Sequence, residues 1–177
     1  MNDYYGKVTS DQDFIKKILT KIPGFSGYVE RLNRRSSDKL LREFVADKYH
    51  DLEQSLSAVQ RELINQGEIE SVDDLESAAI KLRQFSDRVR RATYGYSSLF
   101  EATKINEKEL ARVYQYDLTL VDNIDEISHA IDNVEASIGT DGFPASVRHL
   151  TTLAQDSVDA FNQRTQVFME SVDDTSQ

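Results

Sequence analysis

Hydrophobic residues recur along most of this chain at alternating steps of three and four positions. The most regular run starts at Leu110 and reaches Ile138, and weaker runs cover residues 41–63, 75–96 and 147–172. This spacing places the apolar side chains on one face of a helix, and its average period of about 3.5 is typical of helices that pack along a shared seam. The pattern therefore predicts four long amphipathic helices.

Glycine and proline separate these runs, and both residue types are disfavoured inside helices. The chain has no Asn-Gly hairpin turn and no sustained alternation of β-branched residues, so strands are not expected. The segment around Gly95 is compatible with a helix, a kink or a turn, and we favour a continuous helix. The predicted helices cover residues 28–66, 72–100, 107–138 and 144–172.

Capping signals agree with these boundaries. Ser71 and Asn106 are each followed three residues later by a carboxylate, which is the arrangement of a capping box at a helix start. Gly67 and Gly139 lie where a left-handed residue ends a helix, and Pro144 suits the first turn of the last helix. The chain is therefore predicted to be all-α, an elongated, coiled-coil-like four-helix up-down bundle with a short N-terminal amphipathic helix.

The connections between the predicted helices are short, which makes consecutive helices antiparallel neighbours. On this basis the N-terminal amphipathic helix lies within residues 1–24, the bundle domain spans residues 25–172, and residues 173–177 form a disordered tail. The length of 177 residues suits a single domain with its own hydrophobic core.

The N-terminal helix is the first candidate for function. Residues 11–22 combine bulky apolar side chains on one face with lysines on or beside the other, and Pro23 and Gly24 end the helix. This pattern fits a helix that lies in a membrane interface, and it also fits a helix that packs on one end of the bundle. The candidate membrane- or partner-contact residues are Phe14, Ile15, Lys16, Lys17, Ile18, Leu19 and Lys21.

Charge is unevenly distributed along the chain. The formal net charge is −10, yet residues 1–50 contain 10 basic and 7 acidic residues, whereas residues 117–177 contain 2 basic and 12 acidic residues. Nucleic acids are bound through Lys and Arg, so the acidic C-terminal third argues against a nucleic-acid partner. Cysteine is absent, no apolar run reaches the roughly 18 residues of a membrane-spanning helix, and the N-terminus lacks a secretory signal. We therefore expect a cytoplasmic protein, with a peripheral membrane location as the alternative.

Basic side chains concentrate at the predicted start of the first long helix. Their spacing supports two interpretations, either a patch that binds an anionic ligand or phosphate, or a network of ion pairs between helices. The cluster consists of Arg31, Arg34, Arg35, Asp38, Lys39 and Arg42.

Asp117 favours the second interpretation. It occupies a seam position of the most regular helix, where a buried carboxylate needs a cation, and arginine matches its geometry best. We expect a buried ion pair that fixes helix register, and a register shift that exposes Asp117 is the alternative. The candidate partners are Arg34 and Arg35 on the first helix and Arg88, Arg90 and Arg91 on the second.

Signals for catalysis are weak. Glu126 and His129 match the Glu-x-x-His spacing of di-metal helical bundles, but the nearest second copy, which ends at His50, has Asp47 in place of Glu. Ile127 lies on the seam and turns Glu126 and His129 towards its edge or the solvent. The phosphate-binding and nucleophile-elbow motifs are absent. We therefore expect surface histidines, no cofactor, no identifiable small-molecule substrate and no enzymatic activity, with a di-metal enzyme as an outlying alternative.

Four strings along the chain carry a resemblance to a known group of proteins. They are Ile-Pro-Gly-Phe-Ser-Gly-Tyr at residues 22–28, Arg-Arg-Ser-Ser-Asp-Lys at residues 34–39, Arg-Ala-Thr-Tyr-Gly-Tyr-Ser-Ser-Leu-Phe at residues 91–100 and Tyr-Asp at residues 116–117. Together they resemble uncharacterised prokaryotic helical-bundle proteins with an Ile-Pro-Gly-Phe-x-Gly-Tyr start. The resemblance implies that these segments form one linked structural centre, and it implies no activity.

The leading prediction for function is a non-enzymatic cytoplasmic interaction or scaffold protein that acts through helix–helix contacts. Its partner is expected to be another protein or a second copy of the chain. The alternative is peripheral association with an anionic membrane through the N-terminal helix, by analogy with helical proteins that bind membranes in this way.

Overall fold

The computed structural model describes residues 16–27, 34–92 and 107–173, and the regular secondary structure within these ranges is entirely helical. The predicted all-α bundle of four long helices with a short N-terminal helix is therefore confirmed. Of the predicted disordered tail at residues 173–177, Asp173 is the last residue of the final helix, and residues 174–177 lie outside the described residues. The helices are α1 over residues 16–21, α2 at Arg34–Gln66, α3 at Ile69–Arg91, α4 at Glu107–Ser137 and α5 at Phe143–Asp173.

Successive long helices run in opposite directions, but they are not all neighbours. α2 packs against α3 and α4, and α5 packs against the same two helices. α2 and α4 run in the same direction, because residues 44–55 share one groove with residues 121–128, and residues 55–66 share the next groove with residues 131–138. Within the described residues α3 and α4 therefore lie across a diagonal of the bundle. The prediction that all consecutive helices are neighbours is wrong at this step.

The end of α3 explains the difference. The apolar pattern predicts that this helix continues to about residue 100, whereas the helix ends at Arg91 and is followed by Ala92 as its C-cap. Residues 92–106 lie between α3 and α4 in the chain. Gly95 and the predicted cap Asn106 lie outside the described residues.

The turns at the ends of α2 and α4 use glycine as predicted. Gly67 and Gly139 have φ angles of 82° and 74°, in the left-handed region that glycine adopts without strain. The start of α3 differs from the prediction, because the helix begins at Ile69 and Ser71 lies inside it. The N-cap is Glu68, which makes no side-chain capping hydrogen bond, so the predicted capping box at Ser71 is wrong.

The apolar faces of the four long helices meet in one continuous core. Phe85 of α3 is buried in this core, with its ring centroid 4.5 Å from that of Tyr49 and 5.8 Å from that of Phe161. Aromatic side chains from three helices therefore contact one another, and such pairs stabilise a fold beyond the apolar area that they bury.

Among the described helices, none combines the length and apolarity that crossing a bilayer requires.

The N-terminal segment is folded onto the bundle. Ile18, Ile22 and Phe25 are buried in the common core. Lys21 lies beside α4, with its Nζ 3.3 Å from Oδ1 of Asp122 and 2.9 Å from Oδ2 of Asp125. The apolar face of α1 is therefore part of the folded interior, and a lysine at its edge ties it to the acidic surface of α4.

The loop after α1 approaches the bundle very closely at Gly27. The hydroxyl of Ser37 donates a hydrogen bond of 2.8 Å to the carbonyl of Gly27. Gly27 has a φ of +81°, and a Cβ atom at this position would lie 2.7 Å from the hydroxyl oxygen of Tyr114. The left-handed backbone conformation therefore favours glycine, and an added Cβ would also displace the hydroxyl of Tyr114.

We predict that Gly27→Ala destabilises the protein by about 2–4 kcal/mol, because it combines left-handed strain with overpacking against Tyr114. The matched control is Gly139→Ala, since Gly139 has a similar φ but no atom within 4 Å of the added Cβ. The control should cost only about 1–2 kcal/mol. Urea unfolding of the three proteins measures both values, and equal costs for the two variants would contradict the close contact at Gly27.

Candidate functional site

Four charged side chains form a network inside the bundle. Asp38 and Arg42 come from α2, Asp117 comes from α4 and Arg164 comes from α5. All four are buried, and Asp117 and Arg164 have no exposed surface. Two aspartates and two arginines balance in charge, which is the condition under which buried ionised groups are tolerated.

Arg164 is the centre of this network. Its Nε donates a hydrogen bond to Oδ1 of Asp117 on the neighbouring helix α4. Its Nη2 donates a hydrogen bond of 2.7 Å to Oδ1 of Asp38, which lies on α2 across the diagonal of the bundle. Arg42 then donates from its Nε to Oδ2 of Asp38 at 2.7 Å. The planar guanidinium of Arg164 therefore joins three helices at one level.

Asp117 forms the expected buried ion pair, but with a different arginine from those predicted. Asp117 is buried and binds an arginine, which agrees with the predicted ion pair and excludes the alternative of an exposed Asp117. The arginine found here is Arg164, which was not among the candidates. Of those candidates, Arg88 lies over the ring of Phe161 at 5.5 Å from its centroid. Arg90 forms an ion pair of 2.8 Å with Asp47.

The rest of the arginine-rich segment is divided between core and surface. Arg35 and Lys39 are exposed, and Arg34 is half-buried. Lys39 lies 3.6 Å from Glu43 as a surface pair within α2. Arg31 lies outside the described residues. Of the described residues of the predicted cluster, Asp38 and Arg42 are therefore the ones buried in the network around Arg164.

A second polar layer lies next to the charge network. The hydroxyl of Tyr49 donates to Oγ of Ser157 at 2.7 Å, and the amide of Asn123 donates to the same oxygen at 3.0 Å. Ser157 donates to the carbonyl of Leu153 at 3.0 Å. Burial raises the pKa of Tyr49 well above its ordinary value, and this effect exceeds the opposite influence of its hydrogen bond with Ser157. Tyr49 is therefore a neutral structural donor.

The two residues of the outlying di-metal alternative lie on the surface of α4. Glu126 and His129 are both exposed on α4, away from the core where di-metal bundle sites are built. In the part of the chain that the structure describes, no group of three or more His, Cys, Asp or Glu side chains is placed to hold a metal ion. His50 and His149 are exposed as well, which agrees with the expectation of surface histidines.

The N-terminal contact candidates are separated by the fold. Ile18 is buried in the core, so its place as a membrane- or partner-contact residue has to be corrected. Lys21 is bound by Asp125 and Asp122, and these hydrogen bonds and charges raise the pKa of Lys21 despite the opposing effect of its partial burial. The remaining described candidates, Lys16, Lys17 and Leu19, are exposed. Phe14 and Ile15 lie outside the described residues.

Glu53 is a further buried charge that the sequence analysis did not identify. Its side chain is almost fully buried on α2, and its Oε1 accepts a hydrogen bond of 2.6 Å from Nη2 of Arg83 on α3. Burial alone raises the pKa of Glu53, but the hydrogen bond and charge of Arg83, with hydrogen bonds from Gln54 and Ser57, lower it below its ordinary value. Glu53 therefore stays ionised at neutral pH and links α2 to α3.

No protein-family model matches the sequence, and no curated protein or solved structure shows significant similarity to it. The resemblance to prokaryotic helical-bundle proteins therefore stays a prediction.

Three of the segments that carry this resemblance meet at one end of the bundle. Ser37 bonds Gly27, Gly27 contacts Tyr114, and Asp38 is joined to Asp117 through Arg164. Most of the fourth segment, residues 93–100, lies outside the described residues.

We predict that Arg164→Met destabilises the protein by about 3–5 kcal/mol at pH 7, because it leaves Asp38 and Asp117 buried without their shared cation. The matched control is Arg148→Met, which changes an exposed arginine of the same helix and should cost within about 0.5 kcal/mol. Chemical denaturation followed by circular dichroism gives both values. A loss below about 1 kcal/mol for Arg164→Met would contradict the structural role of the network.

Glu53→Gln tests the charged link between α2 and α3. Because the pKa of Glu53 is lowered in the folded protein, its contribution is present above the ordinary Glu value of about 4.3 and is lost as pH falls through the lower folded-state pKa. We expect the variant to be about 1 kcal/mol less stable than the native chain at pH 7, with this gap closing as pH falls from about 5 to about 3.

The control for this pH series is Glu62→Gln, which changes an exposed glutamate of the same helix. It should show almost no gap at either pH. Urea unfolding midpoints across the series provide the measurement. If the gap for Glu53→Gln is independent of pH, ionised Glu53 is not the source of the stabilisation.

Proposed function

We propose that this chain is a non-enzymatic interaction protein that acts through helix–helix contacts, and that it docks partners on the outer face of the hairpin formed by α2 and α3. One observation carries the proposal. Three isoleucines of this hairpin remain exposed, at 52 % for Ile64, 57 % for Ile69 and 39 % for Ile80. We call the surface that they define the hairpin face. The other large exposed hydrophobic residues in the described ranges are Leu19 and Met169, on different helices.

The hairpin face has the shape and chemistry that a partner helix needs. Ile64 and Val72 line a shallow groove of about 390 Å³ between the two helices, together with Glu53, Glu76 and Arg83. Apolar side chains in such a groove, rimmed by charged groups, are typical of surfaces that accept the apolar stripe of another helix. Covering one isoleucine side chain fully contributes about 1.5–3 kcal/mol, so three partly exposed ones supply a useful share of a binding energy.

The sealed interior supports a non-enzymatic role. Asp117 and Arg164 have no exposed surface, so a substrate has no access to these two charged groups. Their geometry serves to hold three helices together. We place the module in the cytoplasm, a proposal supported by its acidic and cysteine-free composition.

The packing of α1 supports peripheral membrane association less than it supports a role in the folded bundle. Ile18 and Ile22, which would have to enter the lipid, are buried in the bundle core. Lys21, which would face anionic headgroups, lies between Asp122 and Asp125. Membrane binding by this helix would first require its release from the bundle, and that release would expose the apolar residues that it now covers.

Affinity purification with the immobilised full chain tests the proposed function. The variant is Ile64→Glu/Ile69→Glu, which places two charges in the hairpin face, and the control is Met169→Glu, which changes an equally exposed apolar residue on α5. We expect at least one protein to be retained about equally by the native chain and the control, and at least tenfold less by the variant. If every retained protein binds the variant as well as it binds the native chain, the hairpin face is not the docking surface.

A further inference from the structure

The four long helices differ strongly in charge. α2 has six basic and six acidic residues and α3 has five of each, so both are neutral. By contrast, α4 has two basic and eight acidic residues, and α5 has two and four. Two copies of this chain would therefore repel each other through their α4–α5 halves, and they meet with least repulsion through their α2–α3 halves.

α3 is neutral overall, but its acidic and basic residues lie in different halves of the helix. All charged residues in its first half are acidic, and all but one of those in its second half are basic. The favourable interaction of charges with the helix dipole is limited to the first and last turns, so it does not account for a division that extends through most of the helix. The acidic residues are Glu70, Asp73, Asp74 and Glu76, and the basic residues are Lys81, Arg83, Arg88, Arg90 and Arg91.

Part of this charge is already paired with residues of α2. Arg83 binds Glu53, and Arg90 binds Asp47. Asp73 and Arg91 are both exposed and form no ion pair with the part of the chain that the structure describes. The two ends of α3 therefore present an anion and a cation to the solvent.

Asp73, Ile80 and Arg91 lie on one face of α3. Steps of 7 and 11 residues separate them, and both steps are close to whole numbers of turns at 3.6 residues per turn. Ile80 is 39 % exposed, so this face carries an apolar residue between a free carboxylate and a free guanidinium. A helix face with this order is complementary to a copy of itself in the opposite direction.

From this face we infer that a second copy of the chain is a partner of the hairpin face, and that the two copies pack α3 against α3 in antiparallel orientation about a two-fold axis. The inference rests on the proposed function and names one partner for the same surface. A two-fold interface uses the same patch on both subunits, so the patch has to be complementary to itself, as the face of α3 is.

The pairing sets the position of the two-fold axis. Asp73 and Arg91 are 18 residues apart, which is about 27 Å along a helix. If Asp73 of each copy pairs with Arg91 of the other, the axis passes at the level of residue 82. The two Ile80 side chains then lie about 6 Å apart along the helix direction, close enough to contact each other.

The expected dimer is weak and sensitive to salt. One helix pair buries less than the roughly 1,200–2,000 Å² of a stable interface, which points to a dissociation constant in the micromolar range. The ion pairs are exposed at the rim, so about 500 mM salt should weaken the dimer relative to about 50 mM salt.

Sedimentation equilibrium of the full chain, from about 1 to about 500 µM, tests the inference. The single variants Asp73→Arg and Arg91→Asp each turn two symmetric ion pairs into two like-charge pairs. We expect each to weaken dimerisation by about tenfold or more. The charge-swap variant Asp73→Arg/Arg91→Asp restores both pairs and should recover most of the native affinity. Glu126→Arg, which changes an exposed carboxylate of α4, is the control and should not weaken the dimer.

Two results would overturn the inference. One is a chain that stays monomeric up to about 500 µM at low salt. The other is a dimer whose affinity is the same in both single variants, which would place the interface elsewhere. All changed residues are exposed, so circular dichroism should show native folding in every variant. A monomeric chain that still retains a partner through Ile64 and Ile69 would remove this inference and leave the proposed function intact.

Discussion

The arrangement of this bundle depends on the need of Arg164 for acceptors inside the protein. A guanidinium with no exposed surface is costly to bury unless carboxylates bind it, because water cannot reach it. Asp117 supplies one acceptor from the neighbouring helix, and Asp38 supplies another from across the bundle. A slip of one helix by a single turn, about 5.4 Å, would break these contacts, so the network fixes the axial positions of α2, α4 and α5.

The layer around Ser157 adds a second fixed level. Ser157 and Arg164 are seven residues apart on α5, so they lie on one face about 10.5 Å apart. Each layer binds partners on both α2 and α4, since Tyr49 and Asn123 meet at Ser157. Apolar seams of regular period can pack in more than one register, whereas two polar layers match in only one. α3 and α4 can lie across the diagonal of the bundle, because the two polar layers fix the register of α2, α4 and α5.

The helices and the presence of a buried ion pair could be predicted from the sequence because both leave a local signal. Apolar period marks a helix, and Asp117 marks a polar site because it interrupts an otherwise apolar seam. Arg164 gave no comparable signal, since the last run already contained polar residues. Its spacing from Leu150 and Ser157 by steps of seven was the sign that could have identified it. The end of α3 and the exposure of Ile80 depend on how the helices are arranged in space, which a linear pattern does not record.

The interior and the surface of the bundle use charge in different ways. Inside, two arginines balance two aspartates, so the network around Arg164 adds nothing to the net charge of −10. The excess of negative charge is therefore carried on the surface, and it lies mainly on α4. A neutral hairpin with three exposed isoleucines stands out against this background, because repulsion is smallest there and apolar contact is available. The buried network fixes the register of α2, α4 and α5, and the docking proposed for the outer face of α3 uses a side of the bundle that this network does not occupy.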